Sequence, residues 1–468
     1  MSTQTKKSNF SGSIGFVLAA AGSAVGVGNI WRFPTLAAKN GGGLYLITYL
    51  LLVLTFGFSL LITDIAIGRR TGKSSTEAYK LVHPKWNFLG KLTFMVPSII
   101  FCYYIVIGGW ILKYTVASVT EFSAIAQTDY FGTFMTSKAA PIFWMLIYLA
   151  LTAFIVYCGV EKGIERFSKI VMPALLVLVV GISVFALTAK HTDENGVTRT
   201  GLQGLLVYIK PDFTNVTFKS FMNLLMDAMS QLFFSLSVAM GIMITYGSYV
   251  KKDVDLNKSV TQIEIFDTAV AFLSGLMVIP TVYVFQGLEG MSQGPGLIFV
   301  SLPKVFNAMG VIGRFVGPAF FIMVAFAALT SSVSIMEAVV GSLMESFNVS
   351  RKKVSLIVAL IGAVGAVVVC LGYNVLYFEF TLPTGAVGQI LDILDYVTNN
   401  LMMPIISICT CIIIGWVVKP KWVIDEIESS GCRFSRKKLY TVMIKYIVPV
   451  LMLMLFLQAV GVFNFLSK

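Results

Sequence analysis

Long apolar stretches, each bounded by short polar or charged ones, recur from one end of the chain to the other. Runs such as Leu356 to Leu371 are apolar on every helical face, not on alternate residues. Crossing the hydrocarbon core takes ~20 such residues as a helix, whereas a barrel strand alternates over about ten. Lipid offers no hydrogen bonds to exposed backbone, so the pattern predicts a bundle of membrane helices. Eleven candidate spans are centred near residues 25, 55, 105, 150, 178, 235, 275, 330, 362, 402 and 452.

Two of these spans are poor helices. The first runs from Ala19 to Asn29 with Gly22, Gly26, Gly28 and an asparagine at mid-depth; the sixth runs from Gln231 to Gly241. Each interior glycine costs about 1 kcal/mol relative to alanine. Close packing through small residues is the ordinary explanation. The two segments nevertheless hold matching places if spans one to five and six to ten are repeats, and paired interruptions of that kind point to a transport site. Unwound backbone at that depth survives only where protein or a cavity satisfies it. Freed carbonyls then suit a cation, and half-helix N-termini suit a carboxylate. The expected division is a first repeat over 1–190, an outer loop over 191–219 and a second repeat over 220–418. An inner loop over 419–439 and a last span over 440–468 complete it. Residues 292–312, around Gly294-Pro295-Gly296, are expected to cap the outer side without crossing.

Composition strengthens the membrane reading. Hydrophobic residues make up 57% of the 468 and charged residues 12%, against about 25% charged in soluble proteins. The net charge of +12 raises the question of nucleic acid, but its distribution answers it. With the N-terminus cytoplasmic, 24 of the 35 Lys and Arg residues fall on inner connections. That is the positive-inside asymmetry of a membrane protein, with no nucleic-acid partner implied. An odd number of spans places the C-terminus outside. The first apolar stretch lacks a signal-peptide pattern and is expected to remain as a helix. The six cysteines show no C-x-x-C spacing, and most lie in apolar runs, so they read as small buried hydrophobes. His83 and His191 are both in connections. No nucleophile–base set, phosphate loop or metal-ligand cluster supports an enzyme.

The residues Gly22 to Pro34 (GSAVGVGNIWRFP), Asn40 to Gly43 (NGGG), Gly163 to Lys169 (GIERFSK), Ser235 to Tyr246 and Leu329 to Ser332 (LTSS) resemble the neurotransmitter:sodium symporters, in the same order over nearly the whole chain. The eleven-span length resembles the bacterial branch that carries hydrophobic amino acids or tyrosine. The resemblance implies an all-α polytopic membrane protein, a 5+5 inverted-repeat bundle of the leucine-transporter type with helices 1 and 6 broken. It also implies a sodium-coupled symporter in a prokaryotic plasma (inner) membrane, with an L-amino acid as substrate and no obligate protein partner.

Two sodium ions are implied. One would be held by the carbonyls of Gly22, Val25 and Ala327 with the hydroxyls of Thr330 and Ser331. The other would be held by the Ala24 carbonyl, Asn29, Ser235 and Asp267, plus the substrate carboxylate. Asp267 stands where the best-known leucine transporter has an amide, and Ala271 follows one turn later. Asp267 therefore supplies the negative charge that chloride provides in other relatives, and transport is expected to be chloride-independent. An acid at mid-membrane is by default a functional candidate; an interfacial acid near the inner end of span seven is the alternative.

By the same resemblance the substrate pocket comprises Ser23, Ala24, Val27, Gly28, Ile100, Tyr104, Phe234, Ser235, Ser237, Met240, Ser331 and Ile335. Tyr104 and amides near Gly28 suit a carboxylate, and Phe234 can close over the ligand. Ile100, Met240 and Ile335 offer no counter-charge, and an unpaired buried charge costs several kcal/mol. Methionine at 240, in place of phenylalanine, suits larger or varied side chains. Arg32 is expected to pair with Asp395 as an outer gate, and Lys7 with Glu345 as an inner gate with Tyr249 nearby. Phe10 holds the place of the family's N-terminal tryptophan. Asp64 and Glu337 are further acids within the membrane, with no rank between them. A non-transporting amino-acid sensor would keep the pocket but lose the gates. A betaine-like osmolyte symporter would want an aromatic cage, and only Phe234 and Tyr104 are at hand.

Overall fold

The computed structural model describes residues 9–193, 196–214, 216–291 and 294–462. Among them, nine helices are long and apolar enough to cross a membrane. They are Gly43–Thr71, Pro84–Thr120, Ala140–Tyr157, Val160–Thr188, Leu256–Gln286, Gly313–Phe347, Arg351–Leu371, Ile390–Val417 and Lys437–Ala459. Each coincides with a predicted centre. The two remaining centres fall on the two segments that lack a continuous helix.

The first segment is the pair Ser13–Ala24 and Val27–Lys39, bent by 62°. The helix ends where Val25 turns to an extended ψ of 94° and Gly26 to a ψ of −174°. The sixth comprises Phe218–Ser235 and Ile242–Gly247, with residues 236–241 unwound between them. Ser237 and Ala239 there have φ of 52° and 60°. Left-handed conformations of this kind cost non-glycine residues about 1–3 kcal/mol each and cluster at functional sites. Both expected interruptions are therefore present, and the bundle is all-α apart from two short surface hairpins.

The core gathers the broken segments with the second, seventh and eighth helices. Gly68 lies so close to the sixth segment that a Cβ there would stand 1.9 Å from the Ile244 carbonyl oxygen. Gly247 returns the relation against Ile65, at 2.3 Å. Small residues thus let two backbones touch, which is how helices associate where lipid removes the hydrophobic drive. Outward faces stay greasy: Ile170, Val177, Leu360 and Val364 are all exposed. Apolar exposure on this scale suits lipid and not water.

The connections are more ordered than the pattern suggested. The expected outer loop 191–219 contains a hairpin, Lys190–Thr192 with Thr198–Thr200, and a helix Gly201–Ile209 capped by Thr200. The expected inner loop 419–439 contains the helix Lys421–Glu428. The predicted cap after the seventh helix is built from Leu297–Ser301 and Leu302–Ala308, neither long enough to span.

Candidate functional site

The unwound stretches face each other. The Ser23 hydroxyl donates to Ser237 Oγ at 3.1 Å, and the Ser237 hydroxyl lies 3.0 Å from the Ser23 carbonyl. Gln231 Nε2 donates to the Gly28 carbonyl at 3.3 Å. On the far side of the sixth break, the Asp64 carboxylate accepts the Ala239 amide at 2.9 Å. Asp64 therefore holds a left-handed residue in place, because a buried amide left without an acceptor costs about 1–3 kcal/mol. The resemblance implied a structural or coupling role for Asp64 without saying which; its partner is an amide freed only by the break.

Asn29, Ser235 and Asp267 form one cluster. Asn29 Nδ2 donates to Asp267 Oδ1 at 2.8 Å. The Ser235 hydroxyl reaches Asn29 Oδ1 at 3.1 Å and the two Asp267 oxygens at 2.9 and 3.1 Å. Asp267 is fully buried, eleven positions into Leu256–Gln286. The oxygens of Asn29, Ser235 and Asp267 converge without a counter-cation among the described side chains. Their chemistry, one carboxylate among neutral oxygens, fits a small monovalent cation.

A second oxygen group lies below the first break. The Ser331 hydroxyl is 3.2 Å from the Ser23 carbonyl and 3.5 Å from that of Val25. Thr330 Oγ1 is 3.0 Å from the Ala327 carbonyl, and a Cβ on Gly22 would meet Thr330 at 3.3 Å. All of these oxygens are neutral, the expected chemistry of an unwound-helix sodium site.

The predicted pocket residues are brought to the same place with different definition. A Cβ on Gly28 would stand 3.0 Å from the Phe234 ring, and one on Gly26 would stand 3.2 Å from Ser331 Oγ and 3.7 Å from the Tyr104 hydroxyl. Ala24, Val27 and Met240 are buried at the breaks, and Ile100 and Ile335 are buried on the third and eighth helices. Phe234 borders a cavity of ≈ 180 Å³ shared with Arg32, Ser230, Asn399 and Met403.

The outer gate differs from expectation. Arg32 Nη2 donates to Ser230 at 2.6 Å, while Asp395 accepts from Tyr103 at 3.0 Å and Asn399 at 2.6 Å. No ion pair joins Arg32 to Asp395 among the described residues. Each has neutral partners instead, and the cavity bordered by Phe234 also borders Arg32. Lys7 lies outside the described residues. Glu345 accepts the Ser74 amide at 2.7 Å. The Tyr249 hydroxyl lies in the neighbourhood of Glu345, as anticipated, but donates to Glu337 at 2.7 Å, and Arg351 grips Glu337 with bonds of 2.5 and 2.8 Å. Phe10 donates its amide to the Tyr249 carbonyl at 3.1 Å and packs edge-on to Tyr246. It is 2% exposed, so Phe10 is packed into this end of the bundle.

A family model, the sodium:neurotransmitter symporter family, matches residues 7–133 and 133–467. The chain belongs to the sodium:neurotransmitter symporter family. It is 31% identical to YhdH, a sodium-dependent transporter of Bacillus subtilis, over 99% of this chain and 100% of that one. It is 32% identical to the sodium-dependent transporter MJ1319 of Methanocaldococcus jannaschii, over 88% and 82% of the two chains. Its fold matches the crystal structure of MhsT in complex with L-phenylalanine at a TM-score of 0.83 and 33% identity, covering 97% of this chain and 100% of that one. This member of the symporter family is therefore a sodium-dependent, multi-pass plasma-membrane transporter with the broken-helix 5+5 bundle, not an enzyme.

Proposed function

We propose that the chain imports hydrophobic and aromatic L-amino acids together with two sodium ions, without chloride, by alternating access. The observation that carries this reading is the buried Asn29–Ser235–Asp267 cluster, which joins both broken segments to the seventh helix. Sodium is cargo here: one ion would bridge these side chains, the Ala24 carbonyl and the substrate carboxylate. A second would sit among the Gly22, Val25 and Ala327 carbonyls with Thr330 and Ser331. Asp267 brings a fixed negative charge, so no external anion is needed beside the first ion.

Pocket chemistry supports the substrate class. Tyr104 and the freed amides after Gly26 face the carboxylate end, with Ser23, Ser237 and Ser331 about the backbone. Val27, Phe234, Met240, Ile100 and Ile335 receive an apolar side chain. A charged side chain would be buried there unpaired, at a cost of several kcal/mol. Phenylalanine bound to MhsT, a neighbour of the same fold, is in keeping with this.

The buried Phe10 and the separated Arg32 and Asp395 support a state open toward the Arg32 side. The lysine- and arginine-rich connections support reading that side as outer, with the N-terminus cytoplasmic and the C-terminus external. Closure would bring Arg32 and Asp395 together over Phe234; release would loosen Phe10 and the Lys7, Tyr249 and Glu345 region. Residues 1–190 and 220–418 would act as the two rocking repeats, with 440–468 as an added span.

The test is uptake into proteoliposomes of tryptophan, tyrosine, leucine and glycine, in sodium or potassium, with chloride or gluconate. Sodium-dependent uptake of the first three, unchanged by gluconate, is expected. Equal uptake in potassium, or an absolute need for chloride, would overturn the reading.

A further inference from the structure

One stripe of the seventh helix carries polar atoms that the site above does not use. The side-chain oxygens of Asn257, Glu264 and Thr268 are buried without hydrogen-bond partners. At 3.6 residues per turn, positions 257, 264 and 268 share one helix face. It runs from the helix start toward the level of Asp267. Glu264 is the decisive member. It is 2% exposed, and neither carboxylate oxygen has a donor.

Its neighbour is Arg436, from the connection that enters the last helix. Arg436 Nη1 stops 3.7 Å from Glu264 Oε2 and has no hydrogen-bond partner. Its guanidinium is 4.5 Å from the centre of the Phe58 ring, so stacking holds it beside the carboxylate. Elsewhere the molecule completes such pairs: Arg351 meets Glu337 at 2.5 and 2.8 Å, and Arg69 meets Glu426 at 2.7 Å. The charged groups acting on Glu264 are Arg436 and, one turn along its own helix, Asp267. From the second helix it faces the Phe58 side. The first helix meets the seventh through Ser13 and Ser259. What the stripe lacks is donors, and buried acceptors without donors mark water or a cation.

We propose that Glu264 is a cation-exchange site separate from both sodium positions. It takes a monovalent cation, a proton or a sodium ion, through water entering along the Asn257–Thr268 stripe from the Arg436 side. This rests on the proposed sodium-coupled import, in which that side is the inner one. With Arg436 docked, the guanidinium is the counter-charge. When Arg436 leaves the Phe58 ring and withdraws from Glu264, a cation from inner water replaces it, as a proton on a carboxylate oxygen or as sodium beside both. Return of Arg436 expels that cation to the same water. The buried pair stays near neutral throughout, which spares the cost of an isolated charge in lipid.

The test uses full-length protein in proteoliposomes with Glu264→Gln. Sodium-dependent binding of L-phenylalanine in detergent is expected within about twofold of wild type, and amino-acid exchange is expected to persist. Net uptake is expected to fall about tenfold, equivalent to roughly 1.4 kcal/mol, and, at a fixed sodium gradient, to lose its response to internal pH and internal sodium, keeping only the dependence on that gradient which symport imposes. In the wild type at that fixed gradient, a response to internal pH identifies the proton and a response to internal sodium identifies sodium. Arg436→Gln, made separately, should shift the response to lower internal cation concentration, because the competing guanidinium is gone. The proposal is overturned if wild-type net uptake ignores both internal cations, if Glu264→Gln keeps the wild-type response, or if Glu264→Gln abolishes binding. If wild-type protein itself shows no sodium-dependent binding, the import reading fails first and separately.

Discussion

The amide of Asn29 donates to the carboxylate of Asp267 across 2.8 Å, and the two residues are 238 positions apart in the chain. Asn29 follows the first break directly; Asp267 sits within an unbroken helix. The bond ties a segment that can bend to one that cannot. Ser235, at the edge of the second break, bonds to both. In the proposed mechanism, an ion in this cluster would be felt by both interrupted segments together.

Replacing Asp267 with asparagine keeps the shape and removes the charge. Hydrogen bonds to a charged group are worth about 1.5–3 kcal/mol, so sodium affinity should fall roughly 10- to 100-fold. Sodium titration of L-phenylalanine binding in chloride-free buffer reads this directly. An unchanged midpoint would remove Asp267 from ion binding.

Asp64 separates acceptor from charge. Asp64→Asn keeps an oxygen for the Ala239 amide and should retain binding, with stability lowered by under about 1 kcal/mol. Asp64→Ala orphans that amide and should cost about 1–3 kcal/mol, with loss of binding. Thermal unfolding and binding of the two variants side by side check the order.

Gly28→Ala would place a methyl group 3.0 Å from the Phe234 ring. The ring must move into the space a ligand side chain would occupy. Uptake of tryptophan and phenylalanine should fall about tenfold, and uptake of leucine less, because a lost apolar contact is worth about 1–3 kcal/mol. Competition against labelled leucine measures the ratio. Equal losses for all would place Phe234 away from the side-chain pocket.

Gly68→Ala tests the helix contact rather than the site. Its Cβ would stand 1.9 Å from the Ile244 backbone oxygen, which cannot rotate away. Overpacking of this kind costs about 1–3 kcal/mol or more. A lower unfolding temperature in detergent is expected, with the residual folded fraction still binding sodium.

The place of each helix was legible because a continuous apolar run is a local property. The breaks were legible too, since Gly22, Gly26, Gly28 and Gly241 are local defects in such runs. Less legible were the pairings. Arg32 and Asp395 invite each other by charge, yet Arg32 bonds to Ser230 and Asp395 to Tyr103 and Asn399, groups brought there from other helices or other turns. Tyr249 could be placed near the inner end from its motif, but its choice of Glu337 depends on Arg351, from a different helix. Gln231 was visible as an amide in an apolar span, with no local reason to reach the Gly28 carbonyl.

By itself, then, the order of residues determined that this chain is a membrane bundle, where its helices lie, and which two of them cannot stay intact. Those follow from hydropathy and backbone preference, which act over one or two turns. Only the tertiary structure decided that Asp267 meets Asn29 and Ser235, that Asp64 catches the Ala239 amide, and that Glu264 lacks a donor beside Arg436. A hydrogen bond depends on a few tenths of an ångström between side chains from different helices, and that spacing exists only once the helices have packed.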